Sequence, residues 1–312
     1  MRILFTFVVI ILGISAAIGQ PQTPDVRRIE ADPSQGFSYP YYLYVPPKTA
    51  SPAGRHLLVL PNNTGKINDD LAVHEENVKR RIAQVPFAFG KLNVAAIMPV
   101  FPRPETDWKI YTHALDRDSL TTDKKQYGRL DLQLIAMIDD ARKRLAEEKI
   151  AADKRVLIYG FSASGMFANR FAFLHPDRVL AAAVGSPGGW PIAPASEFNG
   201  KKLRYPIGTG DLKEVAGKQL NIGELRKVRF LIFLGDKDDN DSVIFGDGYE
   251  PEDKDLVFEL FGKSPIDRWE TSKKLYADAK LTAEFKLYPG IGHTMTLPII
   301  SDVGQFFESV LK

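Results

Sequence analysis

Along this chain, short runs of apolar residues alternate with longer stretches in which apolar positions recur every three or four residues. The runs at 39–45 (YPYYLYV), 56–60 (HLLVL), 93–100 (NVAAIMPV), 156–159 (VLIY), 179–184, 230–234 and 285–288 read as strands. Several are apolar at nearly every position, as expected of strands inside a sheet covered on both faces. Leu130, Leu134, Met137, Ala141 and Leu145 recur at helical spacing and predict an amphipathic helix over 130–145. Further helices are expected from the 160–165 turn through Leu174, from a cap at Ser264-Pro265, and over 298–311. Strands separated by helices predict an α/β fold with a mostly parallel central sheet and helices on both faces. No internal repeat, low-complexity tract or long linker divides the chain, so residues 20–312 read as one domain. The stretch 188–228, richer in glycine, proline and polar residues, is expected to form a small lid or excursion above the sheet.

The N-terminus follows a different pattern. Arg2 is followed by an apolar run over 3–14, and then by small residues that include Ala17 and Gly19 ahead of Gln20. This is the layout of a secretory signal peptide over residues 1–19. The competing reading, an uncleaved anchor, needs a longer apolar run of ~20 residues. The mature protein is therefore expected to be secreted or periplasmic, with no membrane association after cleavage.

Composition narrows the chemistry. The 312 residues carry 41 Lys and Arg against 39 Asp and Glu, a formal net charge of +2, which gives no ground for nucleic-acid binding. Cysteine is absent, which excludes disulfides, thiolate metal sites and a cysteine nucleophile. Oxygen and nitrogen side chains must do the work.

One constellation offers it. The run Gly160-Phe161-Ser162-Ala163-Ser164-Gly165 sits between a predicted strand and a predicted helix. A nucleophilic serine needs a sharp turn that lifts its hydroxyl off the sheet, with small residues on both sides, and G-x-S-x-G is the usual form. Here Ser164 takes the place of the last glycine. The alternative is a glycine-rich turn with Ser162 as a helix N-cap. A serine hydroxyl needs a base, and there are five histidines. Of His56, His74, His113, His175 and His293, only His293 lies late in the chain, just past the last predicted strand and in a glycine-rich loop. The base in turn needs a carboxylate. The loop 235–241 (GDKDDND) supplies Asp238 as first choice, with Asp236 and Asp241 as fallbacks. That loop has a rival use, because Asp236, Asp238, Asn240 and Asp247 fall at calcium-loop positions; however, Asp241 stands where glycine is wanted and the twelfth position is not Glu. For the oxyanion, the N–H of Ala163 and a donor from the 61–65 loop (PNNTG), with Asn63 favoured, are the expected pair.

With these residues placed, the chain from about Tyr39 to its end resembles the α/β-hydrolases, and among them secreted esterases similar to feruloyl esterases, polyhydroxybutyrate depolymerases and dienelactone hydrolases. The resemblance rests on GFSASG at 160–165, HPDRV at 175–179, FLGDKDDND at 233–241 and GIGH at 290–293. It implies the α/β-hydrolase fold, a Ser162–His293–Asp238 triad, and hydrolysis of a small-molecule or polymer ester with no cofactor and no metal. One departure besides Ser164 is that Leu60-Pro61-Asn62-Asn63 stands where the family usually has a His-Gly pair. Trp108, Tyr111, Trp190 and Tyr205 are candidate pocket aromatics. Two other functions stay open: a serine peptidase of prolyl-oligopeptidase type, and a non-catalytic, calcium-stabilised binding protein on the same scaffold.

Overall fold

A computed structural model describes residues 25–47 and 56–312; the expected signal peptide lies outside the described residues. Ten strands are formed among these residues: β1 (Asp25–Ile29), β2 (Tyr41–Val45), β3 (Leu58–Val59), β4 (Ala96–Pro99), β5 (Val156–Phe161), β6 (Val179–Gly185), β7 (Glu197–Phe198), β8 (Lys201–Lys202), β9 (Arg229–Gly235) and β10 (Thr282–Tyr288). Eight of them make one sheet in the order β1-β2-β4-β3-β5-β6-β9-β10. The pairs β1/β2 and β2/β4 are antiparallel, and every pair from β4/β3 to β9/β10 is parallel. Strands β7 and β8 form a separate hairpin.

The apolar runs become the buried middle of this sheet because both of its faces are covered. Side chains alternate across a strand, and β9 shows the consequence: Phe230, Ile232 and Leu234 point into one core while Leu231 and Phe233 point into the other. Helices Leu130–Glu147 and Ala163–Leu174 cover the first face, and helices Leu71–Ile82 and Leu297–Leu311 cover the second. No helix of the described residues is long and apolar enough to cross a membrane.

The structure departs from the pattern-based reading in several places. Strand β1 (DVRRI) carries no apolar run; it is an edge strand held by pairing with β2 and by ion pairs from Arg27 to Glu148 and Arg28 to Glu75. Ser264 closes a turn with Asp267, each backbone N–H meeting the other side chain, and the helix proper is Trp269–Asp278. The stretch 188–228 does leave the sheet between β6 and β9, but it is packed inward. Trp190 stacks on Phe261 at a centroid distance of 4.2 Å and donates its indole N–H to the Ile207 carbonyl, while the Tyr205 hydroxyl donates to the Leu115 carbonyl. Both aromatics are therefore core residues rather than pocket walls.

Candidate active site

Four loops meet at the carboxyl edge of the parallel strands, the place where such sheets put their sites. Ser162 follows β5, Asp238 follows β9, His293 follows β10 and Asn63 follows β3. Ser162 has φ 62° and ψ −131°, a conformation outside the regular regions for a residue with a side chain, and helix Ala163–Leu174 begins immediately after it. The turn closes this tightly only because of glycine. A Cβ on Gly160 would lie 1.9 Å from the Ser164 carbonyl oxygen, and one on Gly165 would lie 2.4 Å from that of Gly185. Ser164 is fully buried, its Oγ accepting from the Phe161 N–H at 3.1 Å and donating to the Phe161 carbonyl at 2.9 Å. The serine in place of the last glycine thus fastens the turn.

His293 and Asp238 are joined. His293 Nδ1 lies 2.9 Å from Asp238 Oδ2 and 3.1 Å from Oδ1; a carboxylate only accepts, so Nδ1 carries the proton and Nε2 is left as a base. The Asp238 side chain has no exposed surface, and that of His293 is 24% exposed. Burial pushes the Asp238 carboxyl up, but hydrogen bonds from His293, Ser186 and the Asn240 N–H outweigh it and hold the group below its ordinary value. The His293 ring lies 4.7 Å from that of Phe161, the residue before the serine. Among the described residues no hydrogen bond links Ser162 to His293, as is common before substrate binds.

A cavity of about 450 Å³ opens over Ser162, and Asn63 is in its wall. The N–H of Ala163 is the first of its helix and has no acceptor within it. Trp108 and Tyr111 line this cavity, and so do Phe245 and the Arg103–Asp247 ion pair, in which Nη2 and Oδ2 are 2.7 Å apart and the guanidinium lies 3.9 Å from the centre of the Tyr111 ring. The last three, together with Ser186, were not legible as site residues beforehand: Arg103 and Asp247 are far apart in sequence, and Ser186, at φ 42° just past β6, carries no sequence motif.

The acidic loop spreads its carboxylates. Asp236 accepts from the Gly290 N–H, Asp238 holds His293, Asp241 makes a two-point pair with buried Arg268, and Asp247 holds Arg103. Among the described residues no cluster of three or more His, Cys, Asp or Glu side chains is arranged to hold a metal ion. A second histidine–aspartate pair exists, His175 and Asp131 at 2.7 Å, but it is sealed at the far end of helix Ala163–Leu174 from Ser162.

No family model matches the chain, and no curated protein sequence matches it either. Solved structures do. Poly(aspartic acid) hydrolase-1 from Sphingomonas sp. KT-1 superposes with a TM-score of 0.59 at 19% identity, over 93% of this chain and 99% of that one. The poly(3-hydroxybutyrate) depolymerase LpqC from Bordetella parapertussis gives 0.57 at 18% identity, over 92% and 90%. This is the α/β-hydrolase fold. A fluorophosphonate-binding serine hydrolase from Staphylococcus aureus matches at 0.50 and 14% identity, over 94% and 100%. At these identities the likeness concerns the hydrolase fold, and the chemistry has to be argued from the residues in hand.

Proposed function

We propose that the chain is an exported serine hydrolase that cleaves a carboxylic ester, with Ser162 as nucleophile, His293 as base and Asp238 as its orienting acid. The observation that carries this reading is the strained Ser162 turn, open to a cavity at the sheet edge that also bears the hydrogen-bonded His293–Asp238 pair. His293 Nε2 takes the serine proton as Oγ attacks the ester carbonyl, and the resulting imidazolium is stabilised by Asp238. The oxyanion is held by the N–H groups of Ala163 and Asn63, a donor of this kind contributing about 3 kcal/mol. The imidazolium then protonates the leaving alkoxide, and a water activated by the same histidine releases the acid. Trp108, Tyr111 and Phe245 supply the apolar contact that keeps the ester in place.

The test is hydrolysis of short-chain p-nitrophenyl esters and labelling by a fluorophosphonate probe, each with and without a chelator. Turnover and labelling are expected, unaffected by the chelator, and Ser162→Ala lowers kcat by on the order of 10⁶. Cleavage of peptide anilides without esters would move the assignment to a peptidase. Loss of both activity and stability on chelation would restore the calcium reading of the acidic loop. Export is tested by the N-terminus of the protein recovered from outside the cytoplasm, expected at Gln20.

A further inference from the structure

On the sheet face opposite helix Ala163–Leu174, a second cavity of about 230 Å³ lies beneath the helices Leu71–Ile82 and Leu297–Leu311. Its walls are mainly apolar, with Leu60, Met98, Phe89 and Met295 among them, and Arg81, Gln84 and Tyr159 also line it. Among the described residues the Arg81 guanidinium has no hydrogen bond or ion pair. The fully buried arginines are partnered: Arg170 donates to the Ala114 carbonyl and the Tyr249 hydroxyl, and Arg268 to Asp241. Desolvation lowers the Arg81 pKa; the Tyr159 phenol opposes that shift and the neighbouring Arg80 adds to it. The Arg81 side chain is half-buried, so its guanidinium is open to an anion that enters the cavity.

The cavity adjoins a surface groove of mixed lining, in which Lys91, Gln305 and Glu308 stand beside apolar residues. Ala88, Phe89 and Ile300 line both, and the groove is flanked by Phe87 and Leu297, which are 81% and 67% exposed and the most exposed large apolar side chains among the described residues. An unpaired, half-buried guanidinium in the wall of a mainly apolar cavity suits an anion, and the exposed Phe87 and Leu297 nearby suit a chain attached to that anion. We propose that this site binds a long-chain carboxylic acid, with the carboxylate on Arg81 and Tyr159 and the hydrocarbon tail laid along Phe87 and Leu297. The site is separate from the Ser162 cavity, although Leu60 and Met295 tie it to the loops that carry Asn63 and His293.

Calorimetric titration of the whole protein with dodecanoate, hexanoate and dodecanol, each below its micelle concentration, tests the assignment. Dodecanoate is expected to bind more tightly than either partial ligand by at least about tenfold, since each lacks one half of the recognition. Arg81→Met should abolish that advantage over dodecanol, and Phe87→Ser with Leu297→Ser should bring dodecanoate down to the level of hexanoate. Ser162→Ala and the fluorophosphonate adduct should bind dodecanoate as the native protein does. If Arg81→Met does not fold, Ala88→Leu, which narrows the cavity, is expected to weaken dodecanoate alone. Equal binding of dodecanoate and dodecanol, undiminished binding by either cavity variant, or loss of binding in the fluorophosphonate adduct would each overturn the proposal.

Discussion

At the scale of single residues, the most instructive position is Ser164. The usual elbow has glycine here because crowding is expected on both sides of the nucleophile. In this chain the crowding is carried by Gly160 and Gly165, whose added Cβ atoms would collide with backbone carbonyl oxygens. Position 164 has room for a hydroxymethyl group, and its Oγ joins the Phe161 N–H and carbonyl across the turn. Holding Ser162 at a positive φ costs of order 1–3 kcal/mol, so a local fastening there has value. Ser164→Ala removes both hydrogen bonds and leaves two backbone groups in partly buried surroundings. A loss of about 1–3 kcal/mol is expected on denaturant unfolding, together with a fall in kcat larger than any change in KM, because Ser162, the proposed nucleophile, is less firmly placed. Unchanged stability would show that water replaces the hydroxyl without penalty.

At the scale of elements, legibility followed burial on two faces. The parallel strands β5, β6 and β9 announce themselves because VLIYGF, VLAAAVG and RFLIFLG are apolar without alternation, and the order Ser162, Asp238, His293 follows the order of the strands that carry those residues. Strand β1 was missed since its residues serve ion pairs and edge pairing, which leave no periodicity in a single chain, and helix Pro251–Phe261 was missed because its acid-rich first turn precedes a short apolar stretch, where Val257 and Phe261 pack into a core of their own. The pocket walls were half legible: Trp108 and Tyr111 line the Ser162 cavity, whereas the equally aromatic Trp190 and Tyr205 are buried in the 188–228 excursion. No residue of that excursion lines the cavity. Shortening the β7–β8 hairpin at Asn199-Gly200 is accordingly expected to leave preference among ester chain lengths unchanged, and Phe245→Ala to alter it, both read from kcat/KM over a p-nitrophenyl ester series. A changed preference in the hairpin variant would make the excursion a lid after all. The loop after β9 depends on a different contact. Buried Asp241 is held at two points by buried Arg268, so Arg268→Met strands a carboxylate at a cost of about 3–5 kcal/mol. Because Asp238 is in the same loop, activity should fall in folded protein as well, and a variant that loses stability but keeps full kcat would separate the two.

At the scale of the whole molecule, the titratable groups enclosed around the site loops set how stability responds to pH. His113 is fully buried, and desolvation drops its pKa from 6.5 to about 3, with its hydrogen bond to the Phe101 carbonyl only partly opposing this. The unfolded chain therefore takes up a proton that the folded chain refuses, and this contribution is lost as pH falls from 6.5 towards 3, at about 1.4 kcal/mol per pH unit. Asp116 acts in the opposite sense. Burial raises it from 3.8 to about 7 against the hydrogen bonds from Ser119 and Tyr111, so its contribution is lost as pH rises through that interval. Between 3.8 and 6.5 these two slopes oppose each other. His74 and His175 decide the sum: burial lowers both below 6.5, despite the hydrogen bonds they make to the Asn68 carbonyl and the Asp131 carboxylate, which favour their charged forms. The melting temperature is thus expected to decline as pH is taken from 6.5 to 4. His113→Gln removes one stabilising slope and should flatten or reverse that decline. Asp116→Asn removes the opposing one and should steepen it. Parallel curves for the native protein and His113→Gln would mean that the ring is solvated well enough to titrate alike in both states.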